Sequence, residues 1–497
     1  MASPRFPWVQ GSGFSLDVQC AVVVSAKVDV GCSMFSYIRA VRAIRMLKNY
    51  PLLFSFFFFL SSFPASAVDF TGPTEWETVQ TNVVKTWQAQ QVAATSANVR
   101  VWAGVIADRE KREVRLLAEA VGHNLDTTIE FLIAAPQSNR AYESAMMSVA
   151  KPSDIVRALE WIGLPRGTVI NGRQFCFWPK GERVSGTIRR LSDKPLSARP
   201  LQSVIKDVSK EGPLYGEAGL VFTGGTWKEN TCSVDTEQPC SVIALYNEEE
   251  TLLDLPFLAS KGVAYGRSVL AEKMNYGEVL EVVIMPMLLP DGALRTTHLF
   301  LTAHPSEIKE TTLVCADNKG KVIKKGTLTE VVTWLKALSD RGEDLFVTLT
   351  MSEEMTLAQA ADLASLFALL DGKGIKLYGK EKAGIFPRAF LPQEAWRKRE
   401  GRTPQPFEVY LLGDTNRLTY IEEDWSGEGL DPKLSPKDYP FSEVSELPGL
   451  VKRVGDKDSK KVELLFVFAS RNTPLKKVMP AVRALSDRLP LVYIFAE

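Results

Sequence analysis

The spacing of apolar residues changes several times along the chain, and each change marks a different kind of element. Within residues 74–95, Trp76, Val79, Val83, Trp87 and Val92 recur near helical spacing, which predicts an amphipathic helix. From Val99 the pattern becomes short and strand-like, over residues 99–108, 113–121 and 127–135. A second helix is expected over 151–167, with Ser153 or a neighbour as its cap and Ile155, Leu159 and Ile162 on one face. Gly163 and Pro165 stop it. Further strands follow at 219–227 and 241–246.

The last two hundred residues carry a weak repeat. Leu345-Phe346-Val347 precedes a helical run at 356–370 and a strand at 374–378. About 120 residues on, Leu465-Phe466-Val467 precedes a helical run at 474–485 and a strand at 491–495. Each copy has an earlier helix, at 328–339 and about 442–454, and strand pairs at 311–325 and 407–421 open the two units. The expected core faces are Leu363, Leu366, Phe367 and Leu370 in one copy and Val478, Val482 and Leu485 in the other. Polar positions differ between the copies, Glu353-Glu354 in the first corresponding to Arg471-Asn472 in the second. That is expected of a packing repeat, so residues 306–497 should fold on their own as two similar units without a catalytic role. Between the copies lies a Pro-rich connector, 386–406, in which Trp396 adjoins Arg397-Lys398-Arg399. This cluster is either a linker packing its aromatic residue on a neighbour or a contact for an anionic envelope polymer or partner protein.

An apolar run near the front has a different meaning. Lys48 supplies a positive start, Leu52 to Phe63 an apolar stretch, and Ala65-Ser66-Ala67 the small residues of a cleavage site. Residues 46–67 thus have the order of a secretory signal peptide, with cleavage between Ala67 and Val68. About 14 apolar residues fall short of the ~20 needed to span a bilayer, so no stable membrane span is expected after cleavage. Residues 1–45 read as an upstream extension foreign to the native protein, the alternative being a long positive start to which Arg39, Arg42 and Arg45 contribute. The expected location is the periplasm or the medium.

A chain of 497 residues exceeds a single core and should form about two to four domains. Net charge is zero, so no basic excess invites nucleic acid. In an exported chain, Cys232 and Cys240, eight apart in a polar run, suit a disulfide stabilising by about 2.5 kcal/mol. Cys176, among Phe175, Phe177 and Trp178, reads as a buried small hydrophobe. His123 lies in a Gly-His-Asn turn expected to be solvated, and His298 and His304 are too far apart on one strand for a joint metal site. The acidic runs Glu248-Glu249-Glu250 and Glu422-Glu423-Asp424 border turns and are expected to be solvated. The chain has no nucleophile elbow, P-loop or zinc-protease helix. Accordingly no catalytic, cofactor or metal residues are assigned.

Two stretches resemble known families. Ile129-Glu130-Phe131-Leu132, residues 141–147 (A-Y-E-S-A-M-M), the helix 150–167, 221–225 (V-F-T-G-G) and 242–248 (V-I-A-L-Y-N-E) together resemble the YdjY-domain family, over about 98–287. Where such proteins commonly have His-Glu-Ser, this chain has Tyr142-Glu143-Ser144, which argues against a role needing an imidazole there. The resemblance implies an exported protein of unassigned biochemical role. The repeated helix–strand–helix–strand order is similar to the periplasmic domain of the ExbD/TolR family, twice over. Those proteins begin with a transmembrane helix bearing an aspartate; the signal-like segment here has no acidic residue, so proton conduction is not expected.

The expected architecture is therefore α+β and multi-domain: an N-terminal helix (68–97), a β-rich YdjY-like domain (98–305), and two small α/β ExbD/TolR-like units at 306–385 and 407–497. The expected function is that of a non-enzymatic cell-envelope protein binding an envelope polymer such as peptidoglycan or an envelope protein complex. A hydrolase acting on an envelope polymer is the alternative.

Overall fold

The computed structural model describes residues 84–497 apart from short stretches, the longer ones being 210–214, 260–265, 306–310, 378–386, 391–405, 425–432 and 456–461. All of the described residues belong to one compact unit, Gly72–Glu497. The architecture is α+β with several sheets. The expected signal segment, with Ala67 and Val68, and the cluster Trp396 to Arg399 lie outside the described residues.

The first domain is a barrel. Starting from strand Glu113–Ala120, neighbours run through Val279–Pro286, Arg183–Arg190, Leu220–Phe222, Thr251–Asp254, Ser241–Ala244, Phe131–Ala134 and Ser144–Ser148. The last of these pairs back onto Glu113–Ala120, with Ala118 opposite Ser148 and Ala120 opposite Met146. A circuit of eight strands leaves an interior that side chains can fill. Val114, Leu116 and Ala118 point inward with Leu280, Val282 and Ile284 of the neighbouring strand, all fully or almost fully buried. The intervening residues point outward, which is why Leu117 and Ile106 instead meet Trp87 of the N-terminal helix. That helix, described at 84–89, is tied down by Trp87 Nε1, which donates to Glu281 Oε2 at 3.0 Å. Arg189 neutralises the same carboxylate at 3.1 Å.

Helix Pro152–Trp161 closes one side of the barrel, its Ile155, Val156 and Leu159 buried in the interior cluster. Its cap differs from expectation. Ser153 lies within the first turn after Pro152, and its N–H donates to Asp235 Oδ1 at 2.9 Å, a partner distant in sequence.

The C-terminal half holds two units of one topology. In the first, β1 (Thr296–His304), β2 (Thr312–Ala316), β3 (Val322–Thr327), β4 (Asp344–Met351) and β5 (Ile375–Leu377) form a sheet of order β3-β2-β1-β4-β5. Helix α1 (Leu328–Asp340) precedes β4 and α2 (Leu357–Asp371) follows it. In the second, β6 (Phe407–Leu411), β7 (Asn416–Asp424), β8 (Lys433–Phe441), β9 (Leu464–Ala469) and β10 (Leu491–Ala496) take the order β8-β7-β6-β9-β10. There α3 (Leu447–Gly455) precedes β9 and α4 (Leu475–Leu485) follows it. Both sheets pair antiparallel through the first three strands and parallel through the rest. Thr327 caps α1 with a full capping box, Thr327 N donating to Glu330 Oε2 at 2.8 Å.

This moves the boundary read from sequence. Strand β1, which the sequence reading left at the end of the 98–305 domain, is the central strand of the next sheet. Its alternation, with Leu299, Leu301 and Ala303 buried toward the helices, resembles the preceding strands and gives no local sign of a new domain.

The two units do not stand apart, since one apolar core runs through both. The loops after β4 and β9 pair reciprocally: Leu357 N donates to Thr473 O at 2.9 Å, and Leu475 N to Met355 O at 2.8 Å. Likewise Ala358 N donates to Arg471 O at 3.0 Å and Lys476 N to Glu353 O at 2.9 Å. Each bond is the other's counterpart under one constant offset, so the loops are related by a local two-fold axis. Glu354 meets Lys476 at 2.8 Å, and Glu353 meets Arg483. Glu353 and Glu354 of the first copy thus face basic residues of helix α4 in the second.

Candidate functional site

Three of the segments that carry the YdjY likeness come together at one end of the barrel. Phe131 pairs with Ser144 on one side and with Ala244 on the other. Glu130 N donates to Glu143 O at 2.8 Å, and Leu245 N to Glu130 O at 2.9 Å. The side chains of Glu130, Arg140, Tyr142, Glu143, Tyr246 and Glu248 are thereby gathered into one polar cluster.

Arg140 organises it. Its Nη1 lies 3.1 Å from Glu143 Oε1 and donates to the Tyr142 hydroxyl. Burial lowers the Arg140 pKa, but the Tyr142 hydrogen bond and the Glu143 charge together raise it above its ordinary value. Ser144 Oγ, fully buried, donates to Arg140 O at 2.6 Å, which fixes the turn carrying the arginine. Tyr246 is buried, its ring 5.7 Å from that of Phe131. Burial first, and then Glu248 and Glu130, push its phenol well above the ordinary range. It is therefore held protonated, as a hydrogen-bond donor. Tyr142 is the exposed member of the group, at 47%.

The sequence reading placed some of these residues and missed others. Tyr142-Glu143-Ser144 does lie in the cluster. Glu248, expected to be solvated at a turn, is half-buried and hydrogen-bonded to Tyr246. His123, also expected to be solvated, is half-buried with Nε2 3.2 Å from Ala141 O. An imidazole thus approaches this motif from another segment. His298 and His304 share strand β1 as expected. Burial, with Lys180 nearby, lowers His298 to about 4, and its ring stacks on Phe346 at 5.9 Å.

The expected Cys232–Cys240 disulfide is not formed. Both are free and buried, Cys232 ending a short strand under Gly225 and Cys240 entering strand Ser241–Ala244. Ser233 and Val234, which follow Cys232, are buried too. Burial raises both thiols to about 11, and Cys315 to about 12. Cys176 is buried as expected, within 3.6 Å of the Val169 and Trp178 carbonyls.

A second polar group joins the barrel to the first C-terminal unit, and the sequence reading did not find it. Asp254 is fully buried, accepting from Leu255 N at 2.6 Å and Asn247 Nδ2 at 2.9 Å, while its Oδ2 has no hydrogen-bond partner. Burial raises it to about 7, against the opposing influence of Lys376 on β5. Lys376 Nζ donates to Pro256 O at 3.0 Å and lies 5.6 Å from the Phe346 ring. Nearby, Arg183 meets Asp344 at 3.0 Å, and Glu182 Oε2 accepts from Arg295 N at 3.1 Å. The signal was a lone charge inside each of two apolar runs, Leu252–Leu255 and Ile375–Leu377.

Among the described residues no group of three or more potential ligands is placed to hold a metal, and no helix is long and apolar enough to cross a membrane. No family model matches the sequence, and no curated protein matches it. Among solved structures, the ethanolamine utilization protein EutJ from Carboxydothermus hydrogenoformans is similar over 40% of this chain and 84% of its own, at 13% identity and a TM-score of 0.14. A Bacteroides thetaiotaomicron protein described as having an actin-like ATPase fold and unknown function is similar over 40% and 91%, at 10% identity and a TM-score of 0.14. Scores this low carry no argument about fold or function.

Proposed function

We propose that this chain is an exported cell-envelope protein that acts by binding: a YdjY-like barrel followed by two ExbD/TolR-like units, located in the periplasm or the medium. Its ligand is an envelope polymer such as peptidoglycan or an envelope protein complex. The observation that carries the reading is the ordered signal-peptide pattern from Lys48 to Ala67. Binding is favoured over catalysis by the state of the reactive groups. Thiols raised to about 11 and 12 are poor nucleophiles at neutral pH, and an imidazole held at about 4 and stacked on Phe346 is a weak base. The barrel-end cluster, with the exposed Tyr142 over ion-paired Arg140 and Glu143, suits recognition of a polar ligand.

Expression in a bacterial host, cell fractionation and N-terminal sequencing test the location, with Val68 expected as the first residue of exported protein. Cosedimentation of the processed protein with purified peptidoglycan, or its recovery in a defined envelope complex, tests the binding role. Unprocessed protein confined to the cytosol would overturn the reading.

A further inference from the structure

Helix Pro152–Trp161 ends against a pair of arginines. Arg100 lies on strand Val99–Trp102, opposite Ala107 of the neighbouring strand Val105–Asp108. Arg109 follows that neighbour, its N–H donating to Asn98 O at 2.8 Å. Two residues further along than Ala107, it shares a face of the ribbon with Arg100. Trp161 meets this face at the helix end. The guanidinium carbons of Arg100 and Arg109 lie 3.6 and 5.1 Å from the centre of its ring. Both arginines are exposed.

Neither arginine has a carboxylate partner among the described residues. Three of the acids around them are engaged elsewhere. Asp108 accepts from Glu110 N and Lys111 N and lies 3.6 Å from Lys111 Nζ. Asp154 pairs with Arg157 at 2.9 Å, and Glu160 pairs with Arg166. Glu110, beside Arg109 in sequence, pairs with neither.

The same helix end offers an internal comparison. Arg166 stacks on Trp227 at 3.9 Å, and Glu160 accepts two hydrogen bonds from its guanidinium, at 3.0 and 3.1 Å. There the chain supplies both the ring and the counter-charge. At Trp161 it supplies the ring and two cations. The helix C-terminus adds roughly half an elementary negative charge. Among the described residues Glu110 is the one acid beside the pair that is not engaged elsewhere, and neither guanidinium is ion-paired. Guanidinium groups braced on an indole lose little freedom on binding and present their donors as a fork.

We propose that Arg100 and Arg109, braced on Trp161, form a binding site for a phosphate dianion. The charge count selects the ligand: a carboxylate satisfies one guanidinium, whereas phosphate or a phosphate monoester carries nearly two charges and three acceptor oxygens. This site is separate from the barrel-end cluster and does not depend on where the protein resides.

Calorimetric titration of the full-length protein at low ionic strength tests it, with inorganic phosphate, glycerol 1-phosphate and acetate as probes. Inorganic phosphate should bind, and acetate at least about tenfold more weakly. Tighter binding of glycerol 1-phosphate than of phosphate would identify an esterified ligand, and the reverse would identify the free ion. The R100Q/R109Q variant should lose at least about tenfold in phosphate affinity, and Trp161→Phe a smaller factor. Because both arginines are exposed, the double variant should keep the wild-type melting temperature, which separates lost binding from lost folding. Equal phosphate affinity in wild type and R100Q/R109Q, or wild-type binding weaker than about 10 mM, would overturn the proposal.

Discussion

The two C-terminal units share a topology but spend their second helix differently. Helix α4 is amphipathic: Leu475, Val478, Val482 and Leu485 are buried, while Lys476, Lys477 and Arg483 face outward. Helix α2 packs on β5 of its own unit and also on β10 of the other. Its buried residues, Leu357, Ala360, Leu363, Ala364, Phe367 and Leu370, nevertheless line one face at helical spacing. The outer sheet faces diverge in the same way. His298, Phe346 and Lys376 form one row across the first sheet and meet the barrel. The equivalent row of the second is Glu408, Phe466 and Tyr493, beside a stack of Tyr410, Phe468 and Phe495. One scaffold thus carries two differently composed outer faces.

The sharpest way to break this comparison is to cut it at the boundary suggested by sequence. A fragment of residues 306–497 lacks β1, the central strand of the first sheet, and should fail to unfold cooperatively in urea. A fragment of 288–497 retains β1 and should show one cooperative transition, because a single core joins the units. Two separate transitions would mean that the shared core is not cooperative. Next in size, Phe367→Ala in the doubly covered helix should cost roughly 3–5 kcal/mol. Val482→Ala in α4 should cost less, as read from chemical denaturation.

The joint between the barrel and the first unit gives a pH test. Asp254 is raised in the folded protein to about 7 from an ordinary 3.8. The folded state therefore holds a proton that the unfolded state has released, and stability should fall as pH rises from about 4 to about 7 and then level off. Asp254→Asn should flatten that slope and leave the variant the more stable protein at pH 8, by roughly 2–4 kcal/mol. Denaturation midpoints across that range decide it; a wild-type slope unchanged in the variant would remove Asp254 as its source. The smallest effect concerns the facing loops. Glu353→Arg or Arg483→Glu alone should cost at most about 1 kcal/mol, since these groups are half-exposed. The double exchange should recover most of it, and a double-mutant cycle with no coupling would reduce the pair to incidental proximity.

Periodicity made the C-terminal elements legible, because Leu345–Val347 and Leu465–Val467 sit between helices with clear starts. It could not show that Glu353 and Arg483 face each other, since charge difference looks the same in unrelated loops and in complementary ones. Strand β1 was assigned to the wrong domain because alternation reports burial, not which sheet does the burying. Barrel closure was invisible for a similar reason: it depends on Ala118–Ala120 meeting Met146–Ser148, a pairing that no local pattern encodes. At the barrel-end cluster the motif Tyr142-Glu143-Ser144 was legible. Arg140, Tyr246 and Glu248 were not, because their convergence is a product of the closed fold.

The bond between Trp87 and Glu281 also sets a clock. Its two ends are 194 residues apart, and Glu281 lies on a strand that pairs with Glu113–Ala120 to complete the circuit. At about 5–20 residues per second, synthesis of the intervening chain takes roughly 10–40 s. Throughout that interval the N-terminal helix has no acceptor for its indole and no finished wall to rest on. The helix carrying Trp87 is therefore made well before the strand that fastens it.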